Sequence, residues 1–288
     1  MTIANGQYIF GTCRKGGFSA RAYLRNTARD GDRAESKTSS SLKVALNIYC
    51  KGVVVYSNDN YAEIKHQGYL QIDESEFESH FKTGEEYLFV AICSRDIVTG
   101  SSYLPQEHQL IYTDLTSRKF SSVLYDQMPM TQPNKVPPAI IVLAPKVWIS
   151  DKLNTYLVLN GSGGTPTPEI CHPSKPLEIM FFQTNGKIVK TVDLNSTGGS
   201  TTIIDVKDVL RGVGEQFSET PSFYTIFGRG GSSSFSIITI LKNEFTGGSA
   251  SEHTLAPSYY FSGDRVRVRE EVLNVHWTAQ VQGVGGTV

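Results

Sequence analysis

The sequence predicts an all-β protein of two tandem antiparallel β-sandwiches, immunoglobulin-like or jelly-roll in type, that are related by internal duplication. Strand-length runs rich in Val, Ile, Tyr, Phe and Thr recur between clusters of Gly, Asn, Asp and Ser along the 288 residues. Helical patterns are scarce, and several features appear in the same order in both halves of the chain. Together these observations indicate about seven or eight strands in each copy.

Two short helices are predicted, one in each half, and each begins at an aspartate. Asp73 opens DESEFESHF and Asp205 opens DVKDVLRGV. An aspartate in this position accepts a hydrogen bond from a backbone N–H of the first turn, which makes it a good N-cap. Because an isoleucine precedes both residues, we pair Asp73 with Asp205 as equivalent positions of the two copies.

Strand–turn–strand patterns flank these helices in both halves. Upstream, SLKVALNIYCKGVVV resembles PLEIMFFQTNGKIVK, in which Asn185-Gly186 predicts a β-hairpin with a type I′ turn, because both residues tolerate positive φ. Downstream, EEYLFVAICSR resembles PSFYTIFGR, and this match pairs Arg95 with Arg229.

A Glu-His dipeptide follows in each half, within PQEHQLIY and ASEHTLAP. The order of features pairs Glu107 with Glu252 and His108 with His253, so we expect these segments on equivalent strands, with an extended hairpin before the second. Neighbouring side chains of a strand point to opposite faces, so a Glu and the next His cannot converge on one metal or one proton. The repeated dipeptide therefore indicates duplication, with each His as a structural residue on an apolar strand face.

The boundary between the copies is predicted at a proline-rich segment, MTQPNKVPPAI. Proline withdraws backbone donors and favours extended chain, which is typical of a short, semi-stiff linker. We assign residues 1–132 to the first sandwich, 133–139 to the linker and 140–281 to the second sandwich. We expect the glycine-rich residues 282–288 to form a flexible tail.

No catalytic, metal-binding or cofactor-binding motif emerges from the sequence. The six histidines lack the H-x₃-H and H-E-x-x-H spacings, and the four cysteines contain no C-x-x-C pair. Neither a Walker sequence nor G-x-S-x-G occurs. We therefore expect a protein that is not an enzyme and needs no cofactor, with cysteines that are buried or free rather than a disulfide framework.

The charge balance and the apolar runs exclude further classes. A formal net charge of −1 disfavours binding to a nucleic-acid backbone. The longest apolar run, AIIVLAPKVWI, is too short to span a bilayer, and no signal peptide is visible at the N-terminus. The expectation is a soluble protein, either cytoplasmic or exported by a route that needs no signal peptide.

The clearest candidate contact for a partner lies near the C-terminus. In Arg265-Val266-Arg267-Val268-Arg269, strand alternation places the three arginines on one face. Such a row either protects a sheet edge or contacts an anionic partner. We name Arg265, Arg267, Arg269 and Trp277 as candidate partner contacts.

Three functional hypotheses follow, in order of preference. The first is a non-catalytic structural or surface-interaction protein, adhesive in character, that forms homo-oligomers through strand edges or through its termini, the stretch before Gly17 included. The second is a carbohydrate-binding, lectin-like module that uses tyrosine and tryptophan rings, Trp148 among them, as stacking platforms. The third is a hydrolase with a site at the domain junction.

Overall fold

The computed structural model describes residues 2–26, 41–97, 107–126, 141–161, 177–194, 198–230 and 235–254. Within these ranges, the first half contains eight strands and one short helix. In chain order the strands are β1 (Thr2–Gly11), β2 (Phe18–Arg25), β3 (Leu42–Cys50), β4 (Val53–Ile64), β5 (Tyr69–Asp73), β6 (Leu88–Ile97), β7 (Glu107–Asp114) and β8 (Phe120–Asp126). A 3₁₀ helix, Glu74–His80, lies between β5 and β6.

The second half repeats this order of elements. Its strands are β9 (Ile141–Ile149), β10 (Leu153–Gly161), β11 (Leu177–Gln183), β12 (Ile188–Leu194), β13 (Ser200–Asp205), β14 (Ser222–Gly230), β15 (Phe235–Asn243) and β16 (Ser249–Thr254). The helix α1 (Val206–Arg211) lies between β13 and β14, the same place as the 3₁₀ helix in the first half.

The two halves share one sheet topology. Sheet A has the strand order β1-β6-β3-β4, and sheet C repeats it as β9-β14-β11-β12. Sheet B has the order β5-β2-β7-β8, and sheet D repeats it as β13-β10-β15-β16. All the ladders within these sheets are antiparallel. The prediction of an all-β protein with two tandem, duplicated antiparallel sandwiches is confirmed.

Each sandwich has its own apolar core between its two sheets. Val44, Leu46 and Phe89 of sheet A pack with Ala22 and Leu110 of sheet B in the first core. In the second core, the inward side chains of sheets C and D are Ile179, Phe181, Ile226, Leu157 and Ile237. Burial alternates along β2, as expected for a strand with one face on a core.

The predicted helices are confirmed, and their aspartates cap them. Asp73 Oδ1 accepts a hydrogen bond of 3.0 Å from the backbone N–H of Ser75. Asp205 Oδ1 accepts one of the same length from Asp208. Asp73 and Asp205 each end the fifth strand of their sandwich, so they occupy equivalent positions.

The Asn185-Gly186 hairpin is confirmed, but its turn is not type I′. Only Gly186 has positive φ, at 82°, and the Gly186 N–H donates to the Gln183 carbonyl. The loop therefore has three residues with glycine in the left-handed position, which is a common alternative to the two-residue turn. The equivalent turn of the first sandwich has positive φ at both Lys51 and Gly52.

The pairing of the Glu-His segments was wrong. Glu107-His108 begins β7, whereas Glu252-His253 lies near the end of β16, and the counterpart of β7 is β15. The true counterpart of EHQLIYTD is FSIITILKN, so no extended hairpin is inserted before the second dipeptide. The sequence match aligned the two identical Glu-His dipeptides, although these dipeptides lie on strands that are not equivalent in the two sandwiches.

The pairing of Arg95 with Arg229 was wrong by one residue. Lys43 on β3 pairs with Ser94, and its counterpart Glu178 on β11 pairs with Arg229, so Ser94 is the position equivalent to Arg229. A shift of one residue moves a side chain to the other face of a sheet.

The N-terminal stretch forms an edge strand of sheet A, so its pairing with another chain stays a prediction. Residues Thr2–Gly11 form β1, which pairs along its whole length with β6. The boundaries at 132 and 140 stay a prediction. The described residues do not include the proposed linker, the proposed tail or the part of the second copy after Thr254. They therefore also exclude the four candidate partner contacts, Arg265, Arg267, Arg269 and Trp277.

Candidate functional site

The outer faces of sheets B and D are equivalent surfaces with different side chains. We call the outward residues of sheet B the B face: Arg21, Tyr23, Arg25, Tyr69, Gln71, Gln109, Ile111 and Leu124. We call the outward residues of sheet D the D face: Tyr156, Val158, Ile203, Ile238 and Ile240. The strand pairing shows which positions of the two faces correspond. In sheet B, Tyr23 pairs with Gln71 and Gln109. In sheet D, the equivalent Val158 pairs with Ile203 and Ile238.

The D face is buried against the first sandwich. All five of its side chains are buried, and they belong to the same apolar cluster as the core of the first sandwich. Phe18 meets Tyr156 edge-on, with 6.1 Å between the ring centroids. Because the inward side chains of sheet D fill the second core, this sheet is covered on both faces.

Charged groups fix the position of the D face on the first sandwich. Lys242 Nζ lies 2.6 Å from Asp114 Oδ2 and donates to the Gly16 carbonyl at 3.1 Å. Burial alone would raise the pKa of Asp114, but hydrogen bonds from Lys242 and Ser117 outweigh it and hold the pKa at about 2. The carboxylate is therefore ionised and paired at neutral pH.

The junction between the sandwiches is packed closely at several points. A Cβ atom on Gly11 would lie 2.0 Å from Asn160 Oδ1, and one on Gly247 would lie 2.2 Å from Ser117 Oγ. The Gly52 N–H donates to the Gly199 carbonyl at 2.9 Å. These contacts leave no room for even a methyl group at Gly11 and Gly247, so the geometry there is that of a packed interface rather than of a substrate cleft.

The B face is exposed at Arg25, Tyr69 and Leu124 and half-buried at its other positions, and it mixes aromatic rings with planar polar groups. Tyr69 is 70% exposed, and its ring centroid lies 6.1 Å from that of Tyr23. Arg21 Nε donates to Asp73 Oδ2 at 2.6 Å, and Arg25 is exposed beside Gln109. Tyrosine and arginine are enriched in protein interfaces, because each offers a large contact area together with hydrogen-bonding groups.

Sequence reasoning missed this difference between the faces, although the sequence carries a signal for it. ARAYLR in β2 alternates between apolar and polar residues, whereas TYLVL in β10 and SIITIL in β15 are almost continuously apolar. A continuous apolar run is typical of a strand that is buried on both faces. Comparing equivalent strands of the two copies would have identified sheet D as the covered sheet.

The sequence-predicted residues whose side chains the structure describes lie in separate places. His108 is buried in the first core, where its Nε2 lies 3.2 Å from the Ile9 carbonyl oxygen and its ring meets Tyr8 edge-on. Glu252 is half-buried on β16. The side chains of four other predicted residues lie outside the described residues: Arg95, Glu107, Arg229 and His253.

A second group of titratable side chains ties the β1–β2 turn to the rest of the first sandwich. Glu86 accepts hydrogen bonds from the backbone N–H groups of Arg14 and Lys15, and Arg14 forms a bidentate pair with Glu78. Nearby Glu74 accepts a hydrogen bond from the Ala20 N–H, and burial raises its pKa to about 8. Glu86 and Glu74 hold backbone N–H groups and Glu78 holds the Arg14 side chain, so all three have a structural role.

Thiol and metal chemistry find no support in the part of the chain that the structure describes. Cys13, Cys50 and Cys93 are free thiols, and burial raises the pKa of Cys93 to about 12, which leaves it a poor nucleophile. Among the described side chains, no group of three His, Cys, Asp or Glu residues is arranged to hold a metal ion. Neither helix of the described ranges has the length or apolar content to cross a membrane.

Comparison with known proteins identifies no family. No protein-family model matches the sequence, and no curated protein matches it. Among solved structures, a β-D-glucuronidase of Dictyoglomus thermophilum aligns over 87% of this chain and 35% of its own, with 8% identity and a TM-score of 0.15. A Ruminococcus gnavus β-glucuronidase in complex with uronic isofagomine aligns over 86% of this chain and 33% of its own, with 6% identity and a TM-score of 0.14. The chain thus spans about a third of the length of these enzymes, and similarity at this level indicates no shared activity.

Proposed function

We propose that this chain is a non-catalytic interaction protein that binds a second copy of itself through the B face. The observation that carries the proposal is the unequal use of two equivalent surfaces. The D face is covered by a sandwich of the same fold, whereas its counterpart on sheet B is exposed. The B face therefore has the position of a protein-binding surface, and among the described residues no sandwich covers it.

The chemistry of the B face favours a reversible contact. The D face has the apolar composition of a permanent interface, whereas Arg21, Tyr23 and Gln109 stand at the B-face positions equivalent to Tyr156, Val158 and Ile238. Non-obligate interfaces are about as polar as the rest of a protein surface and are enriched in tyrosine and arginine. We therefore expect association that depends on concentration and weakens as salt rises.

Light scattering over a concentration series tests the proposal. The full chain should form dimers or larger species at low salt, and the double variant Tyr69→Ser, Leu124→Ser should shift the association midpoint to at least about tenfold higher concentration, since two apolar contacts are lost. Ile188→Ser is the matched control, because Ile188 is 48% exposed on β12 of the other sandwich. A monomer at every concentration, or equal effects of both variants, would contradict the proposal.

A glycan is the second candidate for the B face, favoured by the exposed Tyr69 ring beside Tyr23. A tyrosine ring offers an apolar surface for the C–H groups of a sugar, and Arg25 and Gln109 offer hydrogen bonds to its hydroxyl groups. Pull-down on a panel of insoluble polysaccharides separates the candidates. Retention of the wild type but not of the Tyr69→Ser variant on one polysaccharide would establish the glycan. The closely packed junction gives the third hypothesis, a hydrolase at the domain junction, no such support.

A further inference from the structure

Two equivalent turns, one from each sandwich, abut at the junction. The β7–β8 turn spans residues 115–119, and the β15–β16 turn spans residues 244–248. Ser117 Oγ donates to the Gly247 carbonyl at 3.2 Å, and Lys119 Nζ donates to the Thr246 carbonyl at 2.9 Å. These bonds join the turns into one surface that both sandwiches share.

Both turns are held in fixed conformations by the same device. Asp114 Oδ1 accepts hydrogen bonds from the N–H groups of Thr116 and Ser117, and Asn243 Oδ1 accepts them from the N–H groups of Phe245 and Thr246. An Asx side chain that bonds the backbone two and three residues on stabilises a turn. The side chains at the tips are therefore held in place before any partner arrives.

These turns expose large apolar side chains. Phe245 is 84% exposed, which is the highest value among the large apolar residues that the structure describes. Phe120, at the start of β8, is 66% exposed, and Leu115 is 48% exposed. We call Leu115, Arg118, Lys119, Phe120 and Phe245 the tip patch. Its apolar side chains protrude from turns and do not line a groove, so they suit a deformable partner into which they can insert.

The charge of the tip patch is positive. Arg118 and Lys119 are exposed on the β7–β8 turn. The acidic residues at the two turns are neutralised within the chain, because Asp114 is paired with Lys242 and Glu244 with the buried Lys207. Exposed cations beside protruding apolar side chains complement a surface that has anionic groups above an apolar layer.

We propose that the tip patch docks on an anionic lipid surface. Phe120, Phe245 and Leu115 enter the boundary between headgroups and acyl chains, while Arg118 and Lys119 contact anionic headgroups. The shared hydrogen bonds keep both sandwiches in one orientation on the membrane. Phe120 lies on the same face of β8 as Leu124 and so borders the B face, whereas Leu115, Arg118, Lys119 and Phe245 stand on the two turns. The inference rests on these turns and not on the B face.

Vesicle co-sedimentation of the full chain tests the inference. The wild type should bind vesicles of phosphatidylcholine with phosphatidylserine and ignore vesicles of phosphatidylcholine alone. Phe120→Ser with Phe245→Ser should lower the partition coefficient at least about tenfold, because two aromatic side chains lose their burial. Arg118→Asn should lower it about fivefold through the lost charge, since asparagine tolerates the positive φ of 62° at this position.

Controls separate docking from unfolding and from other partners. Val53→Ser removes a side chain that is 65% exposed on β4 of sheet A, whereas the tip patch stands on sheets B and D, and it should leave vesicle binding unchanged. Circular dichroism melting shows whether each variant is folded. Binding that neither phenylalanine change affects would overturn the inference. Failure of the wild type to bind any vesicle would also overturn the inference. If the wild type were then retained on immobilised poly-glutamate, the partner of the tip patch would be an acidic protein.

Discussion

Lys242 of the second sandwich and Asp114 of the first form an ion pair across the junction, with 2.6 Å between Nζ and Oδ2. Both side chains are largely buried, at 15% and 2% exposed. Lys242 also lies over the Phe18 ring, 4.8 Å from its centroid. Separating the two sandwiches here would leave both charges without their partner, so the pair holds the D face against the first sandwich.

Asp114→Asn should lower the free energy of unfolding by about 3–5 kcal/mol, because it leaves the Lys242 charge buried without its partner. The pKa of Asp114 lies below its usual value, so the stabilisation is present above about pH 4 and is lost as the pH falls through about 2. Urea titration of both proteins at neutral and acidic pH measures this. A difference that persists unchanged at the acidic pH would contradict the assignment.

Gly247→Ala should destabilise the protein more than Gly186→Ala. Both glycines have positive φ, 68° and 82°, so both changes introduce similar backbone strain. Only at Gly247 would the new Cβ meet another side chain, at 2.2 Å from Ser117 Oγ, whereas nothing lies within 4 Å at Gly186. Thermal melting of the two variants measures the difference, and Ser117→Gly should recover part of the loss in the Gly247→Ala protein.

Glu74→Gln should remove a pH dependence of stability. The pKa of Glu74 is raised by burial to about 8, so the folded protein holds this proton up to a higher pH than the unfolded chain. The stabilisation from the protonated carboxyl is complete below the unfolded-state pKa and is lost as the pH rises through about 8. Urea titrations at about pH 5 and about pH 9 should show a smaller loss in the variant, since glutamine keeps the acceptor for the Ala20 N–H. An identical loss in both proteins would contradict the role given to Glu74.

Asp205→Ala should cost about 0.5–2 kcal/mol, because the first turn of α1 loses its cap. Asp205→Ser keeps an oxygen that can accept from the Asp208 N–H and should restore most of the stability. Asp205 Oδ1 also accepts from Asn154 Nδ2 at 3.0 Å, a bond that serine cannot be expected to reach. The melting temperature should be highest for the wild type, lower for the serine variant and lowest for the alanine variant. Equal melting temperatures for the two variants would rule out the capping role.

The fold was predictable where local pattern and tertiary structure agree. Asp73 and Asp205 cap the two helices because the same side chain–backbone bond forms in any context, and the alternation along β2 follows from one buried face. The Glu-His match failed because two identical residues carry no information about strand order. His108 is the second residue of β7, and the strand that takes the place of β7 in the second sandwich has no Glu-His.

The candidate surfaces were not predictable from motifs, because they are defined by what covers each sheet. Val158 and Ile238 read as core residues in the sequence, and they are buried, but the core they join belongs partly to the other sandwich. Tyr69 and Phe245 read as ordinary aromatic residues, and only the arrangement of strands and turns leaves them exposed. Burial by a neighbouring domain is a long-range property that a strand-length window of sequence does not contain.

The burial of the D face gives the molecule a direction, with two ends that differ. The junction joins two unlike surfaces, the D face of one sandwich and the turns of the other, so this kind of contact does not close into a symmetric pair. One end of the molecule presents the B face, the counterpart of the D face. The second sandwich presents the β9–β10 and β11–β12 turns, the counterparts of two turns that touch sheet D through Gly16 and Gly52. Its β15–β16 turn is already in contact with the β7–β8 turn at the junction. An assembly that repeated this contact would be a filament with two distinguishable ends, and a ligand on the B face would cap only one of them.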